Sequence, residues 1–237
     1  MKKLKNWDKK TWLSSPKYIS SITEFLEKNI KFNKEIKILD IGCGRGKIIS
    51  TLSKKYQMIN LPLGIDIVDH KDVAIKIRFT KANALRYLSK TKEKFNLILF
   101  KQSIHFFSFE EIKKILEYSK KNLYPEGKII ILALHSKKNN WPSFKVFKKK
   151  LTQSLKKDEK ILDLIKFNLK KYTINHFVFK VQITKTAYLQ MIKNRFTSCL
   201  LNLSSTELKN GIKEIQRKFQ KKLEFYDKLI CIIYKKK

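Results

Sequence analysis

The stretch Ile36-Lys37-Ile38-Leu39-Asp40-Ile41-Gly42-Cys43-Gly44-Arg45-Gly46 holds three of the chain's six glycines within five residues. An apolar, β-branched run that ends this way reads as a buried parallel strand over residues 36–41. The loop after it must let its main chain approach a ligand closely, because only glycine lacks the Cβ that would block the approach. Lys47 to Tyr56 then follows at helical spacing, so the unit is strand, glycine turn, helix. An acidic residue, Asp66, stands 24 positions after Gly42 in the run Gly64-Ile65-Asp66. Together these suit a cofactor with a nucleoside part: the turn admits it, and a carboxylate accepts hydrogen bonds from ribose hydroxyls. The dinucleotide fingerprint GxGxxG would need a small residue at position 47, which is lysine, and this weakens a strict NAD reading.

Outward from this unit the chain alternates between strand and helix signals. Ser15-Pro16 is a helix start, and Tyr18, Ile19, Ile22, Phe25, Leu26 and Ile30 recur at helical spacing. Further strands are expected at Leu61 to Ile67, near Ile75 to Phe79, at Phe95 to Phe100 and at Lys128 to Leu134. Ser108 with Glu111 forms a capping box ahead of a helix, and Tyr124-Pro125-Glu126-Gly127 has the residue placement of a type I turn. Past Trp141-Pro142 the chain becomes more helical and richer in lysine. There Phe177 to Ile183 reads as a strand, Thr184 to Phe196 as a helix, Ser204 with Glu207 as the cap of another helix, and Leu229 to Tyr234 as a closing strand. Alternation of this kind implies an α/β fold, a mostly parallel sheet with helices on both faces. No internal repeat or glycine/serine linker divides the chain. A single domain over 1–237 is expected, with a helical cap at 1–35, a cofactor-binding core at 36–135 and lid elements with closing strands at 136–237.

The chain has 237 residues and a formal charge of +34. That charge points toward a polyanionic partner such as nucleic acid, but 49 of the 54 basic residues are lysine and only five are arginine. Phosphate and base recognition favours the arginine fork, so a lysine-coated solvated surface is the competing reading. Cys43, Cys199 and Cys231 are odd in number and lie far apart, without zinc-type spacing, which predicts free thiols and no metal site. No signal-peptide core or bilayer-length apolar run is present, so a cytoplasmic protein without membrane insertion is expected.

Asp40-Ile41-Gly42-Cys43-Gly44-Arg45-Gly46, Gly64-Ile65-Asp66, Ala82-Asn83-Ala84, Asn96-Leu97-Ile98-Leu99-Phe100 and Leu123-Tyr124-Pro125-Glu126-Gly127-Lys128 together resemble, in order and spacing, the class I S-adenosylmethionine-dependent methyltransferases. The trans-aconitate and ubiquinone-biosynthesis type is the most similar in flavour, through Ser103-Ile104-His105-Phe106-Phe107 after the fourth strand. The resemblance implies a Rossmann-like seven-stranded sheet with an antiparallel last strand, S-adenosyl-L-methionine as cofactor and S-adenosyl-L-homocysteine as product. By the same resemblance Gly42, Cys43, Gly44 and Gly46 cradle the methionine portion, and Asp40 supports the turn or meets the ammonium through water. Asp66 clamps the ribose and Ile67 walls the adenine. Asn83, where the family usually has an acid, accepts from the adenine amine, and Ala84 offers backbone contact. Lys101 and Gln102 open onto the cofactor.

Each of these has a structural alternative: a plain strand-to-helix turn for the glycines, a helix cap for Asp66, a packed small residue for Cys43. His105 and His135 follow strands at the ligand edge and are the candidates for orienting an acceptor or taking its proton, against satisfied structural histidines. Tyr18, Ser103, Trp141, Tyr188 and Arg195 are candidate acceptor-lining residues, against core packing. The function expected is methyl transfer to a small molecule. The alternatives are an RNA or tRNA methyltransferase, favoured by charge but lacking an Asn/Asp-Pro-Pro-aromatic motif at Lys101-Gln102-Ser103-Ile104, and a protein that holds the cofactor without transferring methyl.

Overall fold

The computed structural model describes residues 11–136 and 139–237. The first ten residues of the expected helical cap lie outside the described residues. Its strands are β1 (Ile38–Ile41), β2 (Leu63–Asp66), β3 (Arg78–Lys81), β4 (Phe95–Lys101), β5 (Leu123–Leu134), β6 (Thr173–Thr184) and β7 (Lys222–Lys235). The helices are α1 (Pro16–Glu27), α2 (Lys47–Lys55), α3 (Ala84–Lys90), α4 (Phe109–Lys121), α5 (Lys145–Leu169), α6 (Lys185–Lys193), α7 (Ser198–Leu201) and α8 (Ser205–Lys218). The strands form one sheet in the order β3-β2-β1-β4-β5-β7-β6, parallel from β3 to β5 and antiparallel at its last strands. This is the Rossmann-like methyltransferase fold that the motif order implies.

The chain divides into two compact units, one of residues 19–133, 160–177 and 229–237, the other of residues 1–18, 134–159 and 178–228. In the first, β1 lies between β2 and β4, with Leu39 opposite Leu63 and Ile98. Both faces of these strands are buried, which is why Ile38-Leu39-Asp40-Ile41 reads as a continuous buried run without alternation. The core gathers Leu39, Ile41, Leu63, Ile65, Ile98, Phe100, Ile129 and Ile131 from the sheet, with Leu88, Ile112, Ile115 and Leu116 from α3 and α4. The capping box of α4 forms as expected: the Ser108 hydroxyl accepts from the Glu111 N–H at 3.2 Å, and the Glu111 carboxylate accepts from the Ser108 N–H at 2.8 Å.

In the second unit the core is aromatic. Trp12 packs edge-on against Trp141, Phe196 and Phe225, with ring centroids 5.1 to 5.3 Å apart, and Tyr188 lies against Phe196 and Phe225. Asp227, fully buried among them, accepts from the Trp12 indole N–H at 3.3 Å. Gly211 of α8 lets the Phe144 ring lie on the helix backbone, where a Cβ would come within 2.5 Å of two ring carbons.

One expected feature is corrected. Tyr124-Pro125-Glu126-Gly127 is not a type I turn ahead of the strand but part of β5 itself. Glu126 has φ +64°, which the third position of a type I turn excludes. Its N–H donates to the Lys236 carbonyl at 3.1 Å, and the Lys236 N–H donates to Gly127 at 2.9 Å. Pairing with the far end of the chain therefore carries the strand through the proline and glycine, with a register shift against β4 between Phe95 and Leu97.

Candidate functional site

A parallel sheet binds ligands outside the carboxyl ends of its strands, where neighbouring crossovers diverge. Here that point is β1, whose partners are β2 and β4. The glycine turn follows it directly. The Gly42 and Cys43 N–H groups both donate to the Ile65 carbonyl, at 2.8 and 3.1 Å, which folds the turn back over β2. Gly42, Gly44 and Gly46 all have positive φ, +72°, +55° and +68°. They do so for different reasons. A Cβ on Gly42 would stand 2.4 Å from Ser103 Cβ, and one on Gly46 would stand 2.3 Å from Ile77, so these two are packed against the protein. Nothing lies within 4 Å of where a Gly44 Cβ would be, so there the bare main chain faces open space.

Asp66 ends β2 and closes the other side. One carboxylate oxygen accepts from the Gly44 N–H at 2.9 Å and the other from the Val68 N–H at 2.9 Å. The acid thus holds the turn in shape, and no helix follows directly for it to cap. The His70 imidazole, nearly buried, lies 4.0 Å from the same carboxylate. His70 is not among the candidates read from the sequence; the available signal was its spacing four residues after Asp66. Ile67 beside it is 70% exposed, an apolar surface available to a base.

Asp40 is buried, and one of its oxygens has no hydrogen-bond partner among the described residues. Burial pushes its carboxyl from 3.8 up to about 7; the Lys101 ammonium works against the rise and the Asp66 carboxylate adds to it. Lys101 ends β4, and its ammonium donates to the Gln102 side-chain carbonyl at 3.0 Å. Gln102 itself has φ +54°. Ser103 donates to the Ile41 carbonyl at 2.6 Å, so it fastens the loop after β4 to the glycine turn instead of opening onto a pocket. His105 follows in a short 3-10 turn with its ring against Phe106, centroids 4.2 Å apart, and Phe106 is 54% exposed. Asn83 caps α3, its side-chain oxygen accepting from the Arg86 N–H at 3.0 Å. Ala84 is buried behind it.

The structure brings Asp40, the glycine turn, Asp66, Lys101, Gln102 and Ser103 together in one unit, with His105 at the end of the same loop. The other candidates belong to the second unit. Tyr18 and Tyr188 are wholly buried and Trp141 nearly so, as members or neighbours of the aromatic core. Tyr188 donates to the Pro142 carbonyl at 2.5 Å. Burial and the neighbouring Asp227 carboxylate push the Tyr18 hydroxyl well above its usual range. Arg195 donates to the Leu200 and Leu201 carbonyls. The His135 N–H donates to Lys228 at 2.8 Å, and its carbonyl accepts from Asn139. Two site neighbours escaped sequence reasoning. Arg45, nearly buried, pairs with Asp72 at 2.9 Å, and its carbonyl accepts from Ala74, which ties the turn to the segment after β2. Burial raises the Cys43 thiol above its ordinary value, with Asp40 and Asp66 adding to the rise, and its Sγ packs over Gly64.

The fit to a sulfonium nucleoside rests on two features. Gly44 presents main chain to open space, and Asp40 offers a buried carboxylate oxygen without a hydrogen-bond partner beside it. Residues 38–127 match the family model of the methyltransferase domain. That stretch reads as a methyltransferase domain.

Solved structures with this methyltransferase fold include a putative methyltransferase from an antibiotic biosynthesis pathway of Anabaena variabilis, 12% identical over 89% of this chain and 95% of that one, with a TM-score of 0.61. A methyltransferase of Geobacter sulfurreducens, in complex with S-adenosyl-L-homocysteine, is 13% identical over 94% and 92%, with a TM-score of 0.56. A phosphoethanolamine N-methyltransferase of Haemonchus contortus, in complex with phosphomonomethylethanolamine and S-adenosylhomocysteine, is 13% identical over 91% of this chain and 52% of that one, with a TM-score of 0.52. No curated protein sequence matches the chain. Among the described residues no helix is long and apolar enough to cross a membrane, and no group of three or more metal-ligating side chains occurs.

Proposed function

We propose that the chain is an S-adenosylmethionine-dependent methyltransferase that acts on a small-molecule acceptor in the cytoplasm. The observation that carries the reading is the cradle itself: an open left-handed glycine at Gly44, the Asp66 carboxylate bonded to its N–H, and the buried Asp40 oxygen, all at the end of β1 and β2. S-adenosylmethionine, when bound, supplies a methyl group already activated by the positive charge on sulfur. The chain's part is alignment and exclusion of water. Gly42 to Gly46 line the methionine portion, Asp40 meets its ammonium, Asp66 accepts from the ribose hydroxyls and Ile67 covers the adenine. Asn83 retains one lone pair for the adenine amine while the other caps α3. Lys101 and Gln102 border the same opening.

His105 is the residue proposed to orient the acceptor or take its proton, because it stands on the loop fastened to the glycine turn through Ser103 and presents its ring beside the exposed Phe106. His135, Tyr18, Trp141, Tyr188 and Arg195 stay second to it, since each is engaged in backbone bonds or packed in the aromatic core. The Anabaena neighbour, from an antibiotic biosynthesis pathway, and the Haemonchus neighbour, bound to phosphomonomethylethanolamine, support a small acceptor. The second reading, methylation of RNA, is favoured by the lysine-rich surface. Transfer of labelled methyl to metabolite pools, RNA and protein extracts in parallel decides: label in RNA alone replaces the first reading, and cofactor binding with no transfer to any pool replaces both with a binding protein.

A further inference from the structure

Residues 145–157, the first half of α5, hold six lysines and no acid: Lys145, Lys148, Lys149, Lys150, Lys156 and Lys157. All but the half-buried Lys150 are exposed, while Phe147, Leu151 and Leu155 of the same stretch are buried. Helix α8 of the same unit adds Lys209, Lys213, Arg217 and Lys218, all exposed. The two helices meet, since both carboxylate oxygens of Glu214 lie 3.2 Å from the Lys145 N–H and Gly211 receives the Phe144 ring. Asn210, Lys213, Glu214, Arg217 and Lys218 line a recess along this face of α8.

A lysine-coated protein would normally neutralise such a face with exposed acids. Here three acids are near: Glu207 closes the capping box with Ser204, Glu214 accepts from the start of α5 within the recess, and Asp158 is buried. The exposed cations named here form no ion pair among the described residues. Arg217 is also one of only five arginines in the chain. The excess lies in α5: residues 145–157 carry six cations and no acid, where the whole chain carries 54 basic and 20 acidic residues over 237.

We propose that the α5–α8 face is a docking surface for nucleic acid, which it grips through the phosphate backbone. An anionic membrane fits it less well. Membrane-seeking helices set apolar side chains beside their cations, and none of the described residues of α5 up to Glu159 or of α8 is an exposed large apolar side chain. The inference is independent of the acceptor that is methylated, because a docked nucleic acid need not be the methyl acceptor.

The test measures binding of the full chain to a fluorescent RNA hairpin, a DNA duplex of equal length and phosphatidylserine vesicles over a salt series. One variant carries Lys149→Gln, Lys213→Gln, Arg217→Gln and Lys218→Gln; a control carries Lys54→Gln, Lys90→Gln, Lys92→Gln and Lys114→Gln, exposed lysines of the other unit. The expected result is a loss of at least about tenfold in nucleic-acid affinity for the first variant, with a salt slope shallower by about 3, and little change for the control. Tighter binding of RNA than DNA, or equal binding of both, identifies the source of the phosphates; either supports the surface. Equal losses in both variants, preference for vesicles, or no nucleic-acid binding by the parent chain overturns it. Melting curves check that the variants fold, and labelled-methyl transfer is measured separately, so failure here leaves the acceptor question untouched.

Discussion

Asp66 joins the turn to the ligand: its carboxylate accepts from the Gly44 and Val68 N–H groups and is also the proposed ribose clamp. Charged hydrogen bonds are worth about 1.5–3 kcal/mol each, so Asp66→Ala is expected to weaken S-adenosylmethionine binding by at least about tenfold in calorimetry. An unchanged Kd removes the clamp assignment. Asp40 makes a pH-dependent counterpart. With its carboxyl at about 7 in the fold against 3.8 outside it, the folded protein holds a proton there that the unfolded chain has lost. The stability tied to that proton is full below 3.8 and is lost as pH rises through about 7. Cofactor affinity runs the other way, rising with pH to a plateau above about 7, because an ammonium partner favours the ionised carboxylate. In Asp40→Asn both trends flatten; a parent-like pH profile for the variant places the titration elsewhere. His105→Gln is expected to lower kcat with little change in cofactor Kd, and unchanged turnover returns His105 to a structural role.

At the scale of elements, local chemistry made some features legible and long-range contact hid others. The two capping boxes and the glycine turn are short-range patterns, complete within a few residues, and they form as the sequence implies. Ser108→Ala is accordingly expected to cost about 1 kcal/mol in chemical denaturation. The strand through Pro125 was not legible, because bonds from Glu126 and Gly127 to Lys236 decide it from the other end of the chain. The meeting of α5 with α8 was equally hidden. A glycine inside a helix ordinarily gains about 1 kcal/mol on replacement by alanine, but Gly211→Ala drives a methyl into the wholly buried Phe144 ring. It is expected to destabilise by about 1–3 kcal/mol, and a higher melting temperature in that variant contradicts the packing described.

For the molecule as a whole, a formal charge of +34 sets lysine against lysine over much of the surface. Screening acts over about 8 Å at physiological ionic strength, so added sodium chloride is expected to raise the melting temperature, in contrast to proteins held by surface ion pairs. A flat response shows that the lysines are too far apart to repel. The groups proposed to hold the cofactor could be placed from sequence because they sit in ordered motifs at strand ends. The acceptor half could not be, since Tyr18, Trp141 and Tyr188 have the same aromatic character whether they line a cavity or, as here, fill a core. Asp40 carries a last consequence for anyone weighing the protein calorimetrically. If the donor's ammonium settles beside this carboxylate as proposed, binding below neutrality is expected to expel up to one hydrogen ion into the medium, so that the measured heat changes with the ionisation enthalpy of the buffer chosen, and the release is expected to fade towards zero on the alkaline side.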